Sequence, residues 1–231
     1  MEHTEQQEQI LAYMETRQFA TVAELASLIF ASEATVRREI RHLEERGCLK
    51  SVYGGVVAAK YGMEPVPISM RDGANSAQKE RLAERAALLV RENTTVLLDS
   101  SSTARRICRH IKGVRGLTVI TSNLRVCEAL KDSSVRVICT GGTLLPKREC
   151  FAGHFAEEFL RTVHADIMFF SAQGLSDGVI TDGSEEEVSL RRTMFSRSKE
   201  IYFLADRSKI GKTFPFTLCT VKDVTGTILE G

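Results

Sequence analysis

The first 47 residues place apolar side chains at helical spacing in three short segments. The first segment has its apolar face at residues 10–14. Thr21, followed three residues later by Glu24, forms a capping box, so a second helix begins there. Ser32 offers a further N-cap, and Gly47 is a good residue to end a third helix of about 33–46. The pattern therefore predicts three helices at the start of the chain.

A hairpin and a linker follow the third helix. Two short β-like runs flank Gly54 and Gly55, an arrangement typical of a hairpin. Residues 58–76 hold two of the chain's four prolines, which indicates a linker. The N-terminal domain is therefore predicted to span 1–57.

The pattern of apolar residues changes beyond the linker, where short apolar runs alternate with helical segments. An amphipathic helix at about 78–92 comes first. The apolar runs are TTVLL, LTVIT, VRVICT, DIMFF and EIYFLA. Continuous runs of this length are typical of strands buried on both faces, and their alternation with helices favours a mostly parallel sheet. We therefore expect an α/β chain with a Rossmann-like second domain at 77–231.

Composition indicates a globular protein and argues against a disordered chain, a metal-binding protein and a membrane-spanning protein. The chain has 231 residues, of which 43% are hydrophobic and 26% charged, as in globular proteins. Cys108, Cys139 and Cys219 fall in or beside apolar runs and are expected to be buried free thiols. We find no spacing of metal ligands, so neither a metal nor a cofactor is expected. The polar N-terminus and the lack of a long apolar run predict a cytoplasmic protein.

Charge becomes informative only on the third helix. The net charge is +1, and residues 1–57 carry six Lys or Arg against nine Asp or Glu. On a helical wheel, however, Arg37, Arg38 and Arg41 cluster opposite the apolar face. For an isolated helix, a solvated face with Glu33–Arg37 and Arg41–Glu45 pairs is the favoured explanation of this pattern.

The surroundings of the third helix favour a DNA-binding interpretation. A short helix precedes it across a tight turn, which is the spacing of a helix-turn-helix, and a hairpin follows it as in a winged helix. Its first residues, Ser32, Glu33 and Thr35, are polar, as expected where a recognition helix meets base edges.

The stretch SEATVRREIRHLEERGCLKSVYGGVV resembles the signature of the DeoR family of bacterial transcriptional regulators. That pattern has a Ser, a Thr, Arg-Arg-Asp-Leu, a Leu, a Gly and then Arg-x-His-Gly-Gly. The matching residues are Ser32, Thr35, Arg37, Arg38, Leu43, Gly47, Gly54 and Gly55. Ser51 replaces the usual wing arginine. The resemblance implies a winged helix-turn-helix domain, in which we expect DNA contacts from Ser32, Thr35, Arg37, Arg38, Arg41, Lys50 and Tyr53.

Polar residues follow each apolar run of the second half, where ligands of open α/β sheets bind. N-capping explains any one of these loops, but all five together favour one pocket. Helix N-termini, hydroxyl groups and the ammonium group of Lys209 suit a small phosphorylated ligand. The candidate residues are Asp99, Ser100, Ser101, Ser102, Thr103, Thr121, Ser122, Asn123, Gly141, Gly142, Asp206 and Lys209.

The second half is also similar to the sensor domain of DeoR-type regulators, which resembles sugar-phosphate isomerases such as ribose-5-phosphate isomerase. Family members typically respond to phosphorylated sugars. The usual first loop is Asp-Ser-Gly-Thr-Thr, and here Ser101 and Ser102 replace the Gly-Thr. The resemblance implies a phosphorylated-sugar effector.

Three functions stay open on the sequence. The leading hypothesis is a repressor of carbohydrate-metabolism genes that binds double-stranded operator DNA as a homodimer or homotetramer. An isomerase-like enzyme could use Asp99, Glu187, Asp206 and Lys209, but it would have no use for the DNA-binding signature. A protein-interaction module built on the helical half is the third.

Overall fold

The chain divides into two compact units, Met1–Ala74 and Asn75–Gly231. A computed structural model describes residues 4–15, 17, 19–52, 55–58 and 75–230. Most of the predicted linker, together with Tyr53 and Gly54, therefore lies outside the described residues. The elements of the first unit are α1 (Glu5–Glu15), β1 (Ala20–Thr21), α2 (Val22–Leu28), α3 (Glu33–Glu45), β2 (Leu49–Val52) and β3 (Gly55–Ala58).

The predicted caps set the helix boundaries of the first unit. The Thr21 hydroxyl accepts a hydrogen bond from the Glu24 N–H at 3.1 Å, and the Glu24 carboxylate accepts one from the Thr21 N–H at 2.7 Å. The Ser32 hydroxyl accepts from the Thr35 N–H at 3.2 Å. Gly47, at φ +70°, follows the end of α3. The predicted capping box, N-cap and helix end are confirmed.

A three-stranded sheet completes this unit in the order β1-β3-β2. The strands β2 and β3 form the predicted hairpin, and β1 pairs with the other side of β3. A Cβ atom on Gly55 would lie 2.0 Å from the carbonyl oxygen of Ala20, so only glycine permits this strand pairing. The hairpin is thereby tied to the segment that begins α2.

The apolar face of α3 packs into the core of the first unit as predicted. Val36, Ile40 and Leu43 are buried together with Ile10 and Leu25 from the two preceding helices. Burying each such side chain stabilises the folded unit by roughly 1.5–3 kcal/mol. The opposite face of α3 is therefore the one left to solvent.

The second unit is a larger α/β assembly. Its two short 3-10 turns are Pro146–Arg148 and Arg207–Lys209. Its other elements are α4 (Ser76–Ala87), β4 (Thr95–Leu98), α5 (Ser102–Arg105), α6 (Cys108–Ile111), β5 (Thr118–Thr121), α7 (Leu124–Leu130), β6 (Arg136–Cys139), β7 (Thr143–Leu145), β8 (Cys150–Ala152), α8 (His154–Arg161), β9 (Ala165–Phe170), β10 (Gly174–Ser176), β11 (Val179–Asp182), α9 (Glu185–Ser196), β12 (Ser198–Asp206), β13 (Phe216–Thr220) and β14 (Gly226–Glu230).

The main sheet has the order β14-β12-β9-β4-β5-β6, and every neighbouring pair is parallel. The five strands expected from apolar runs are all present, and β14 is a sixth. Along β9, Ile167 and Phe169 enter the core on one face, while Met168 and Phe170 enter the core on the other. Burial on both faces explains why these strands read as unbroken apolar runs.

Several features depart from the sequence prediction. A small antiparallel sheet, β10-β11-β13, and the hairpin of β7 and β8 were not predicted. The helix α4 ends at Ala87, before the predicted end. Cys108 and Cys219 are buried as expected, but the expectation that Cys139 is buried was wrong. Cys139 is exposed because β6 is the last strand of the sheet.

The helices of the described residues are too short or too polar for any of them to cross a membrane.

Phe30 combines two unfavourable features in the turn between α2 and α3. Its φ is +48°, and 97% of its surface is exposed. A left-handed conformation costs a residue with a Cβ atom about 1–2 kcal/mol, and this side chain gains no burial in return. Phe30→Gly is therefore expected to stabilise the first unit by about 1 kcal/mol. Slower amide hydrogen exchange in α2 and α3 would show it.

Phe30→Ala is the matched control, because it removes the ring and keeps the strained backbone. It should change the exchange rates far less than the glycine variant. Equal stabilisation by both variants would attribute the effect to the ring rather than to the backbone.

Candidate DNA interface and effector site

The recognition helix α3 presents a cationic face. Arg37, Arg38 and Arg41 are all exposed, as is Lys50 on β2. Ser32 is exposed at the N-cap, and Thr35 is half-buried with its hydroxyl 3.0 Å from that of Ser32. Tyr53, the remaining predicted DNA contact, lies outside the described residues.

Among the described residues, the structure gives these arginines one surface ion pair and one long hydrogen bond. Arg37 donates to Glu33 at 2.9 Å, and the Nε of Arg38 donates to its neighbour Glu39 at 3.3 Å. The expected Arg41–Glu45 pair does not form within the part of the chain that the structure describes. The Arg37–Glu33 pair is exposed at both ends, and such pairs are worth about 0–1 kcal/mol, so Arg37 can exchange its carboxylate for a phosphate at little cost.

Two carboxylates of α3 accept hydrogen bonds that fix the orientation of this helix. Neither was predicted from the sequence. Glu39, only 6% exposed, accepts a hydrogen bond from the side-chain amide of Gln7 on α1 at 2.8 Å. Glu44 accepts from the Ser51 N–H at 2.8 Å and from the Ser51 hydroxyl at 2.6 Å. Ser51, where the family pattern has arginine, thus fastens the hairpin to α3.

The second candidate site lies at one edge of the parallel sheet, where the carboxyl ends of the strands meet. Hydrogen bonds join four neighbouring strand ends. The Ser171 N–H after β9 donates to Asp99 after β4 at 3.3 Å. The Thr121 hydroxyl on β5 donates to the Leu98 carbonyl at 2.8 Å, and the Thr140 N–H after β6 donates to the Thr121 carbonyl at 3.0 Å.

Asp99 is fully buried and fully engaged within this edge. Its Oδ1 accepts from the N–H of Ser101 at 3.0 Å and from the hydroxyl of Ser101 at 2.6 Å. Its Oδ2 accepts from the Ser171 N–H at 3.3 Å and from the Nε of Arg191 at 2.9 Å. Four hydrogen bonds saturate a carboxylate, so Asp99 shapes its loop rather than reaching a ligand.

Arg191 on α9 is the centre of a buried ionic cluster. Its guanidinium contacts Asp99, donates to Asp182 at the end of β11 at 2.8 Å, and lies 3.5 Å from Glu187. Burial alone would lower the pKa of Arg191, but the attraction of Asp182 and Asp99 outweighs it and raises that pKa. Arg191 therefore stays charged in the interior.

Glu187 extends this cluster to the next loop. Its Oε1 accepts from the Ser100 hydroxyl at 2.5 Å, and its Oε2 pairs with Arg148, which lies in the turn before β8. Residues 185–187 form the acidic first turn of α9, which Ser184 caps, but Glu187 is only 1% exposed and has this second role.

Three buried polar atoms at this edge lack a hydrogen-bond partner among the described residues. They are the Ser122 hydroxyl, the side-chain amide nitrogen of Asn123 and the Ser171 hydroxyl. Ser122 and Asn123 are 0% exposed and Ser171 is 3% exposed. An unsatisfied buried polar group costs about 1–3 kcal/mol, so these atoms favour a polar occupant of the site.

The first turn of α4 touches two other loops of the edge. Asn75 donates to Asp206 at 3.3 Å, and Lys79 donates to the Ser102 hydroxyl at 3.3 Å. Lys79 is 1% exposed, and Lys209 beyond Asp206 is 7% exposed. The sequence analysis missed Lys79. Its spacing with the buried residues 82, 83 and 86 places it on the apolar face of α4, which is the signal that could have found it.

Gly141 and Gly142 lie at the outer end of the site and are less buried than the other candidates. Gly142 has φ +104°, and a Cβ atom on it would lie 2.7 Å from the Ala152 carbonyl oxygen. Close packing against β8 therefore explains why this position is a glycine. The described residues contain no group of three or more His, Cys, Asp or Glu side chains able to hold a metal ion.

Comparison with protein families gives one match for each unit. Residues 6–61 match a DeoR-like helix-turn-helix domain, and residues 74–230 match the DeoR C terminal sensor domain. Both the family resemblance and the predicted fold class are confirmed.

Curated relatives match almost the whole chain. HTH-type transcriptional regulator GolR of Listeria innocua is 32% identical over 95% of this chain and 87% of its own length. An L-fucose operon activator of Haemophilus influenzae is 31% identical over 89% and 83%. HTH-type transcriptional repressor GlcR of Bacillus subtilis is 28% identical over 88% and 79%. All three are named as regulators of transcription or of an operon.

A solved structure supports the fold alone. The translation initiation factor eIF-2B of Pyrococcus horikoshii OT3 matches with a TM-score of 0.53 and 16% identity, over 98% of this chain and 95% of that one. Ribose 5-phosphate isomerases also match, but the likeness, with TM-scores of at most 0.45, is too weak to support an argument.

The ionic cluster around Arg191 yields a stability prediction. Arg191→Gln removes the cation from three buried carboxylates and should lower the free energy of unfolding by about 3–5 kcal/mol. Arg192→Gln is the matched control, because Arg192 is exposed and donates to a backbone group, the Thr217 carbonyl, rather than to a buried carboxylate. Urea denaturation followed by circular dichroism measures both variants. Similar losses in the two would show that the cluster is not a special source of stability.

Proposed function

Because this chain belongs to the DeoR family of transcriptional regulators, we propose that its first unit binds operator DNA under the control of a ligand bound to its second unit. In this proposal, residues 1–57 form the DNA-binding domain, residues 58–76 the linker and residues 77–231 the effector-sensing domain. The observation that carries it is the exposed cluster of Arg37, Arg38 and Arg41 on the solvent face of α3.

The DNA-binding role rests on a local rather than a global charge. Residues 1–57 are acidic overall, so attraction to the duplex must come from α3 and its neighbour Lys50. Arginines bind phosphates or read guanine through two hydrogen bonds, and Ser32 and Thr35 lie at the end of α3 that meets the bases in helix-turn-helix proteins. Tyr53 completes the proposed contacts.

The ligand proposed for the second unit is a phosphorylated sugar. The orphaned polar atoms of Ser122, Asn123 and Ser171 suit sugar hydroxyls, which both donate and accept hydrogen bonds. Lys79 and Lys209 suit a phosphate, because both are buried cations, the first bonded to Ser102 after β4 and the second in the turn that follows β12. Ser100–Thr103, Thr121, Gly141, Gly142 and Asp206 would complete the walls, with Asp99 holding the first loop in shape.

Repression of carbohydrate-metabolism genes is the regulation that we propose. GlcR is named a repressor, whereas the Haemophilus influenzae relative is named an activator of an L-fucose operon. Release from DNA requires that the effector bind the DNA-free state more tightly than the DNA-bound state. A homodimer or homotetramer in the cytoplasm would double the few base contacts of one winged helix on a palindromic or repeated site.

The isomerase alternative is set aside. The relatives are named as transcriptional regulators, and the chain carries the family's helix-turn-helix domain. Two of the three carboxylates named for it are also committed elsewhere, since Asp99 is saturated and Glu187 is held by Arg148 and Arg191.

Replacing Arg38 tests the DNA interface. Arg38→Ala is expected to weaken binding by about 1–3 kcal/mol, because the variant loses a phosphate or guanine contact of α3. A duplex selected from random sequence by the unaltered chain serves as the probe in a gel-shift titration. Circular dichroism should show an unchanged fold, since the Arg38 side chain is largely exposed.

Arg17→Ala is the matched control, because Arg17 is exposed, lies outside α3 and contacts the Tyr13 ring. It should bind the selected duplex like the unaltered chain. Full affinity in the Arg38 variant, or an equal loss in both variants, would contradict the proposed interface.

Thermal unfolding with a panel of pentose and hexose phosphates tests the effector site. A ligand at about 100 times its dissociation constant stabilises the folded state by about 2.7 kcal/mol, which raises the midpoint. The unphosphorylated sugars should cause no comparable shift. Lys79→Met should abolish the shift, and it should still fold because an apolar side chain tolerates this buried position.

Lys222→Met is the control for the loss of one positive charge, because Lys222 is exposed in the turn between β13 and β14 and is not among the proposed effector contacts. It should keep the full shift. A shift that survives in the Lys79 variant would place the phosphate elsewhere, and no shift with any sugar phosphate would contradict the proposed effector class.

A further inference from the structure

The turn between α2 and α3 carries the most exposed large apolar side chain among the residues that the structure describes. Phe30 is 97% exposed, and Leu88 and Phe155 of the second unit follow at 85% and 77%. The φ of Phe30, +48°, lies in the left-handed region, which a residue with a Cβ atom adopts only at a cost. Neither packing nor backbone geometry within the unit therefore explains why this position holds a large aromatic residue.

The backbone on both sides of Phe30 is hydrogen-bonded to α2. The Ile29 N–H donates to the Leu25 carbonyl at 3.0 Å, and the Ile29 side chain is buried. The Ala31 N–H donates to the Ala26 carbonyl at 3.0 Å. Because the chain is held on either side, the ring of Phe30 projects from a defined place on the unit.

This place is next to the start of the recognition helix. Phe30 lies two residues before Ser32, which caps α3, and two residues span at most about 7 Å along the chain. Ser32, Glu33 and Ala34 are exposed as well. A partner that touches the first turn of α3 is therefore within reach of the Phe30 ring.

The docking geometry of helix-turn-helix proteins indicates what such a partner offers. The recognition helix places its N-terminal residues against base edges in the major groove, while the preceding helix crosses the sugar–phosphate backbone. The connection between the two helices must then pass the rim of the groove. In this chain the connection is formed by residues 29–32. Apolar groups at such a rim are the C–H groups of deoxyribose and the methyl group of thymine, which phenylalanine can contact.

We propose that the ring of Phe30 contacts operator DNA at the rim of the major groove, against deoxyribose or a thymine methyl group. The inference rests on the DNA binding proposed above and adds an apolar contact beside the arginines of α3. In the complex the ring leaves water, so it gains the burial that it lacks in the free unit. Strained residues cluster at binding sites, and the gain on binding would account for a strained aromatic residue in this turn.

Three replacements of Phe30 separate the ring from the backbone strain in gel-shift titrations of the full chain. Phe30→Ala and Phe30→Gly both remove the ring and should weaken binding to the duplex selected by the unaltered chain about tenfold. Phe30→Gly should do so although it relieves the backbone and slows amide exchange in α2 and α3. Phe30→Tyr keeps the ring and should retain full affinity. All three should fold, because the side chain is almost wholly exposed.

Phe155→Ala is the matched control, because it removes another exposed aromatic ring, on α8 of the second unit. It should bind the selected duplex like the unaltered chain, and an equal loss in this variant would overturn the Phe30 contact. Full affinity of Phe30→Ala beside weak binding of Arg38→Ala would overturn the Phe30 contact alone. Full affinity of both variants would contradict the proposed DNA interface itself.

Replacing thymine by uracil in the selected duplex distinguishes the two apolar groups. If the ring contacts a thymine methyl group, uracil should weaken the unaltered chain more than it weakens Phe30→Ala. If the ring contacts deoxyribose, uracil should affect the two chains equally, and the loss in Phe30→Ala should persist. Analytical ultracentrifugation without DNA checks for another occupant. Dissociation of an oligomer in Phe30→Ala would show that the ring binds a second copy of the chain, which would overturn the proposal.

Discussion

The second unit depends on one buried cation. Arg191 on α9 binds carboxylates that follow β4, end β11 and begin α9, so a single guanidinium connects three separate parts of the chain. Removing ions from water costs several kcal/mol each, and this cluster tolerates that cost because every carboxylate has a charged partner. Through Asp99 and Glu187 the cation also fixes the loop of residues 99–103 and the turn that carries Arg148. The shape of the strand-end edge therefore follows from the charge balance beneath it.

The first unit uses the same principle on a smaller scale. Gln7 and Ser51 bind carboxylates of α3 and set the orientation of this helix against α1 and the hairpin. These contacts use side chains on the flanks of α3, and the arginines on its outer face stay exposed. A fixed helix with loosely paired cations suits a surface that must exchange carboxylates for the phosphates of a duplex.

Local signals in the sequence predicted most of the fold, and long-range pairings account for what was missed. Capping at Thr21 and Ser32 involves residues three apart, so the chain itself displays it. The partners Asp99 and Arg191 are 92 residues apart, and no local pattern could have joined them. Lys79 was detectable as a charge on an apolar face, whereas the exposure of Cys139 follows from the order of strands in the sheet, which hydrophobic runs alone do not specify. The proposed DNA and effector contacts stay predictions.

The position of β6 at the end of the sheet also bears on how the protein avoids aggregation. An outer strand offers unpaired backbone groups onto which a strand of another chain can add, and amyloid-like assembly can start in this way. β6 is only four residues long, and it begins with the exposed charge of Arg136. A short, charged outer strand is a poor template for such growth, so β6 can remain uncovered without recruiting further copies into a fibril.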